Sequence, residues 1–179
     1  MPGIGRDGRA AVRSELHYRR ASPRRSARAQ RWINVAAQTS DKSTRAFDEQ
    51  ADQALVVMKK RAEELKIIGA AVLAYIPGNS TQSWSSKMAV VGSLKNAPKP
   101  NDRGSNLLAI AYSKAAEMAD TLKDSGSGVR PPMTGEFGWQ GGLIIKVKTG
   151  YLIAAFSGGP SEDDLKVARA GLEFLGGKL

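Results

Sequence analysis

The stretch from Gly141 to Leu175, GGLIIKVKTGYLIAAFSGGPSEDDLKVARAGLEFL, constrains the fold more than any other part of the 179-residue chain. Two apolar runs flank Thr149-Gly150, and a hairpin turning there sets Val147 against Leu152, Ile145 against Ala154 and Leu143 against Phe156. One face of that hairpin is wholly apolar, while the other carries Lys146 and Lys148 beside Tyr151 and Ile153. A slip of one residue would bury lysines, so the pattern specifies the register. Thr-Gly is a weaker turn former than Asn-Gly, which leaves the turn type open. Ser157-Gly158-Gly159-Pro160 then breaks the strand, and Ser161 with Asp164 reads as a Ser-x-x-Asp capping box for a helix beginning near Glu162. Leu165, Ala168, Leu172 and Leu175 recur at helical spacing, Gly171 permits close approach to the sheet, and Gly176-Gly177 supplies a stop. A glycine-rich turn opening a helix also raises the idea of a phosphate cradle. Glu162, Asp163 and Asp164 would repel that anion and satisfy the helix dipole themselves, so the turn is read as a hinge and a cap.

Upstream, Phe47, Ala51, Ala54, Leu55, Met58, Ala62 and Leu65 form one stripe of an amphipathic helix predicted from about Thr44 to Leu65. Ile67 to Ile76 is too short an apolar run for a second helix and reads as a buried strand closed by Pro77-Gly78-Asn79. Ser83 to Lys95 reads as its neighbour, with imperfect alternation. Asn96 to Gly104 is a loop, after which Ser105 is placed to cap a helix running to about Lys123. Its stripe is Leu108, Ala111, Tyr112, Ala115, Ala119 and Leu122, but Leu107, Ile110 and Met118 lie outside it. That helix therefore needs a second cover, either another subunit or a loop folding back. Such a loop exists in Asp124 to Gln140, long for a compact domain. It carries Arg130, Glu136, Phe137 and Trp139: an aromatic wall with one cation and one carboxylate, suited to a pocket rim or to packing on the core. The order α-β-β-α-β-β-α predicts an α/β (α+β) domain with an antiparallel, hairpin-built sheet of about four to five strands covered by helices.

Composition narrows the chemistry. The net charge of +10 divides unevenly: residues 1–35 hold nine arginines against Asp7 and Glu15, for +7, and leave +3 for the rest. Residues 1–40 are read as a basic, disordered tail and 41–179 as a single domain. Three readings of the tail stay open: an arm for nucleic acid or an anionic surface, an organelle transit segment, or an upstream reading of the true start. Nothing in the chain approaches the ~20 apolar residues of a membrane span. The absence of cysteine removes disulfides, thiolate nucleophiles and Cys-ligated metals, and fits a reducing, cytoplasmic setting. The sole histidine, His17, lies in the tail, so the body has no imidazole for acid–base work, for a triad or for axial ligation. No nucleophile–base pair is visible, which argues against an enzyme.

With these elements in hand, the chain from about Asp41 to Leu179 resembles the GlcG/HbpS family, which includes the C-terminal domain of PduO-type proteins. The resemblance is carried by the Gly141-Gly142 pair opening a hairpin, by Ser157-Gly158 after its second strand, by the acid at the following helix start and by Ala170-Gly171-Leu172. A weaker match is AIAYSKAAEMA, where Lys114-Ala115 sits as the family's Lys-Ala does. The resemblance implies a profilin-like domain, homo-oligomers, and haem or cobalamin binding in several members. The chain departs from the pattern after the first strand, where IPGNSTQSWSSKMAVVGSLKNAP replaces the family's Asp-Ala-Gly-Gly turn and Arg-Met-Asp-like segment. Without a body histidine, haem iron would have to be met by Tyr75, Tyr112, Met88, Met118, Met133 or Lys114, each more readily explained as a core or surface residue. The expectation is a non-catalytic module for haem or a related planar ligand, held by Lys114, Arg130, Glu136, Trp139, Gly141 and Gly142. Lys114 would pair a propionate or other carboxylate. The alternative is an oligomeric interaction protein whose ligand site has decayed.

Overall fold

The computed structural model describes residues 27–96 and 101–178, with side chains from residue 42 onward. Three helices and four main strands follow one another as α1 (Ala27–Glu64), β1 (Gly69–Pro77), β2 (Ser85–Val91), α2 (Leu107–Thr121), β5 (Gly142–Val147), β6 (Gly150–Ser157) and α3 (Ser161–Gly176). Between β2 and α2, the two-residue strands β3 (Lys95–Asn96) and β4 (Ser105–Asn106) pair with each other. The main sheet has the order β2-β1-β6-β5, antiparallel throughout. This is the expected α+β arrangement of a hairpin-built sheet with helices on it.

The central strands explain the layering. β1 and β6 are buried along nearly their whole length, so both of their faces must be covered. Ala71, Leu73 and Tyr75 of β1 and Leu152, Ala154 and Phe156 of β6 point to one side, where α1 and α3 pack. Ala70, Val72, Ala74, Ile76, Ile153 and Ala155 point to the other side, where α2 covers them with Ala111, Ala115, Met118 and Ala119. The hairpin face carrying the lysines is therefore not a solvent face along its length. Ile153 and Ala155 lie beneath α2, and only the tip bearing Lys146 and Lys148 is exposed. Phe47 anchors α1 by stacking on Tyr75 at 6.0 Å between ring centroids, and the Tyr75 hydroxyl donates to the Thr149 carbonyl at 2.9 Å.

Four local expectations need correction. The β5–β6 register pairs Val147 with Gly150, Ile145 with Leu152 and Leu143 with Ala154, two residues away from the predicted pairing. A two-residue shift keeps every side chain on its own face, so the apolar pattern cannot tell the two registers apart. The backbone decides, because a Cβ at Gly150 would lie 2.0 Å from the Ile76 carbonyl oxygen. Gly150 is thus a strand residue against β1, and the turn falls on Lys148-Thr149. Helix α1 begins at Ala27, well before Thr44; residues 1–26 of the expected tail lie outside the described residues. The cap of α2 is Asn106, one residue beyond the predicted Ser105, and its Oδ1 accepts from the Ala109 N–H at 3.0 Å. Finally, α3 starts behind Pro160 with no side-chain cap, and Val167 is buried where Leu165 is only partly covered.

Helix α3 meets α1 at Gly171, where a Cβ would lie 2.6 Å from Met58 Sδ and 2.8 Å from its Cγ. An exposed helical Gly→Ala change gains roughly 0.5–1 kcal/mol. Here the buried Met58 has to move, and Gly171→Ala is expected to cost about 1–2 kcal/mol net. Calorimetry should show Tm lowered by roughly 2–8 °C, whereas a raised Tm would mean that α1 and α3 are not in close contact there.

Candidate functional site

The site grows from a lysine in the helix that covers the sheet with Leu107, Ala111, Ala115, Met118 and Ala119. Lys114 stands on the buried side of α2 with 3% of its surface exposed. Its Nζ reaches past the end of β6, donating to the Phe156 carbonyl at 2.8 Å and to Asp164 Oδ2 at 2.8 Å. Asp164, equally buried, lies in the first turn of α3 on the opposite layer. Its other oxygen, Oδ1, accepts from the Gly159 N–H at 2.9 Å. Asp164 is thus consumed by Lys114 and the Gly158-Gly159 turn, not by the capping box expected of it. Gly141 closes the arrangement from β5: its φ is +128°, its carbonyl accepts from the Phe156 N–H at 2.9 Å, and a Cβ there would lie 2.3 Å from Lys114 Nζ. Only glycine meets both requirements.

Burial sets the electrostatics of this pair. Desolvation pushes the Lys114 pKa below its usual value, against the attraction and hydrogen bond of Asp164. Desolvation likewise pushes Asp164 up, opposed by Lys114 and the Gly159 N–H. Both groups are drawn toward their neutral forms, which is the direction expected where water is excluded.

The pair opens on a polar cavity of about 280 Å³. Ser157, Gly158, Gly159 and Ser161 form its floor, Leu107 and Ile110 of α2 one wall, and Trp139 and Gln140 the rim. Lys114, Trp139 and Gly141 are therefore brought together as expected. Asp164, Gln140 and the Ser157–Ser161 turn belong to the site too, and sequence reasoning missed them. The signal was present in Ser-Gly-Gly-Pro-Ser-x-x-Asp, but it was read as hinge and cap, because an acid in a helix first turn is so often there for the dipole.

Arg130 and Glu136 are placed elsewhere. Arg130 donates through Nη1 and Nη2 to both oxygens of Glu136 at 2.6 and 2.8 Å. Its Nε and Nη2 donate to Asp120 Oδ2 at 2.9 and 2.7 Å, and Nη1 also to the Pro131 carbonyl at 3.0 Å. All five guanidinium donors are used within the loop and its parent helix. Glu136 Oε2 accepts further from the Met133 N–H at 2.8 Å. These two residues are a clamp that gives the 124–140 loop its shape, and the Arg130 guanidinium has no donor left for a ligand. Gly142 also lies outside the cavity: a Cβ there would meet Met118 Cε at 2.4 Å, and its N–H donates to Ser125 Oγ at 2.9 Å. The loop folds back on α2, where Glu117 Oε1 accepts from the Gly126 N–H at 2.9 Å, and so supplies cover for the apolar helix.

Two larger cavities flank α2 and α3. One, of about 410 Å³, is lined by residues 81–84 and Ala116, Ala119 and Asp120; the other, of about 430 Å³, lies between β5 and α3. Neither holds a buried charged pair. The groups considered for haem iron are otherwise engaged: Tyr75 with Thr149, Tyr112 with Ser86 at 3.3 Å, Lys114 with Asp164, and Met118 with the α2–sheet core. Met88 packs beside that core, and Met133 is exposed on the loop. The residues present do not fit a haem. Among the described residues no cluster of His, Cys, Asp or Glu is arranged to hold a metal ion, and no helix is long and apolar enough to cross a membrane. No protein-family model matches the chain, and no curated protein matches it.

Removing one member of the Lys114–Asp164 pair strands the other in a dry site. Lys114→Met or Asp164→Leu alone is expected to cost about 3–5 kcal/mol, and the double variant less than the sum of the two. Urea unfolding of the three variants measures this, and additive losses would mean that the pair does not act as a unit. The clamp carries its own pH dependence. Hydrogen bonds from Arg130, then from the Met133 N–H, lower the Glu136 pKa from an ordinary 4.5 to about 2. A depressed carboxyl stabilises the fold above its ordinary value, and that contribution is lost as pH falls through the folded one. The Glu136 carboxyl resonance is thus expected to move only as pH falls toward about 2. Titration near 4.5 would show the clamp open in solution.

Proposed function

We propose that this domain is a non-catalytic binding module that holds a small, polar, unsaturated ligand in the cavity beside Lys114. The observation that carries the reading is that a buried Lys–Asp pair, Ser157, Ser161 and Trp139 line one cavity. Residues that only staple α2 to α3 would need no cavity. Pockets for drug-sized ligands run to roughly 300–1,000 Å³, and this one is slightly smaller, at about 280 Å³. A tetrapyrrole, which the family resemblance implied, is larger than the space; a compound of a few heavy atoms bearing a carbonyl or carboxylate suits it. The cysteine-free composition supports placing this activity in the cytoplasm.

A second reading is favoured by a separate observation. Val129, Met133, Phe137 and Trp139 are 57, 52, 45 and 51% exposed on the clamped loop, with the Phe137 and Trp139 rings 4.7 Å apart. An ordered ridge of large apolar side chains is a surface for a partner, and a second copy of the chain would make the domain an oligomeric interaction protein.

Titrating the purified protein with small keto and hydroxy acids, and with haemin and cobalamin, separates these readings. Saturable binding of a small acid is expected, weakened about tenfold in Trp139→Ala, which removes one wall without touching the core. A protein that saturates with none of them while light scattering shows one defined oligomer would replace the binding module by the interaction protein.

A further inference from the structure

Lys114 lines a cavity with a buried carboxyl group in direct contact. Its Nζ meets Phe156 O and Asp164 Oδ2, each at 2.8 Å. A proton passed from Nζ to Asp164 across that contact leaves a neutral amine, with its lone pair, beside a neutral carboxylic acid. A small ligand in the cavity lies against the residue that carries this amine. We infer, resting on the binding reading above, that Lys114 is a carbonyl-capturing amine, and that the ligands of this cavity are small aldehydes or 2-oxo acids held as a reversible imine.

The chemistry is complete with the groups present. The Nζ lone pair attacks the carbonyl carbon, a C–N bond forms, and the carbonyl oxygen takes the proton that Asp164 carries in its acid form. The Asp164 carboxylate then removes one N–H proton to give the neutral carbinolamine and returns it to the hydroxyl, which leaves as water. The nitrogen lone pair forms the C=N bond in place of C–O, and the protonated imine stands against the Asp164 carboxylate. Nothing is oxidised or reduced, and one water is released. The protonated imine keeps one N–H, which still has Asp164 Oδ2 to donate to. Desolvation favours the reactive form of the amine, because burial disfavours its charge. Gly141 contributes by having no side chain where a Cβ would overlap Nζ. Ser157 and Ser161 line the same cavity, and a hydroxyl is the kind of donor that a carboxylate adjoining the carbonyl needs.

Pyruvate and acetaldehyde serve as probes, with lactate as the non-carbonyl counterpart. Wild-type protein is incubated with each in the presence of cyanoborohydride and mapped by peptide mass spectrometry, while ligand-observed NMR reports binding without reductant. Pyruvate and lactate are both expected to bind, and pyruvate and acetaldehyde to leave a reduced adduct on Lys114. That adduct should exceed any on an exposed lysine by about tenfold or more, as follows when binding holds the carbonyl against the amine. Lys114→Arg, which keeps donors toward Asp164, should show no adduct at that position. Binding of pyruvate without an adduct at Lys114 overturns the imine and leaves the binding module intact. Adducts confined to exposed lysines overturn it as well, and the absence of both binding and adduct overturns the two readings together. The wild-type map decides the question even if the arginine variant fails to fold.

Discussion

The Lys114–Asp164 contact ties together the two sides of the molecule. Helix α2 covers one face of the sheet and α3 the other, so the sheet itself separates them. At the end of β6 a long lysine crosses from one layer to meet an aspartate of the other. Buried charged pairs are weak contributors to net stability, since desolvation consumes most of their attraction. What such a pair can provide is orientation. Asp164 ties Lys114 to the Gly158-Gly159 turn, Lys114 ties both to the last strand, and the turn, the strand end and α3 are thereby held in register around the cavity.

Much of this architecture was legible in the chain because periodicity reports faces. The stripes at Phe47–Leu65 and Ala111–Ala119, and the apolar run at Ile67–Ile76, each became the element their spacing implied. The hairpin shows where periodicity stops. Strand side chains repeat every two residues, so a shift of two leaves the pattern unchanged, and only the close approach of Gly150 to Ile76 distinguishes the registers. That contact joins positions far apart in sequence, and no local reading contains it.

The site was legible in the same uneven way. Lys114 was reached through the resemblance of Lys114-Ala115 to the family's Lys-Ala pair; Trp139 lines the cavity with it, and Gly141 lies against its Nζ. Arg130 and Glu136 looked like pocket residues because their composition is the same whether they face a ligand or each other. Their mutual bidentate geometry, with Asp120 completing the set, turns them into the internal support of a loop. Asp164 was hidden for the opposite reason, since a familiar local role accounted for it without reference to a residue fifty positions away.

The order β2-β1-β6-β5 leaves a four-stranded sheet with two open margins. Each margin carries a lysine: Lys87 on β2, fastened to Asp52 and the Asp48 carbonyl, and Lys146 near the hairpin end of β5, exposed beside Tyr151. Charges in such places discourage another strand from adding to the sheet. The molecule is therefore closed to growth along its hydrogen-bonding direction. The two lysines thereby work against use of an alanine- and valine-rich sheet as a template for aggregation.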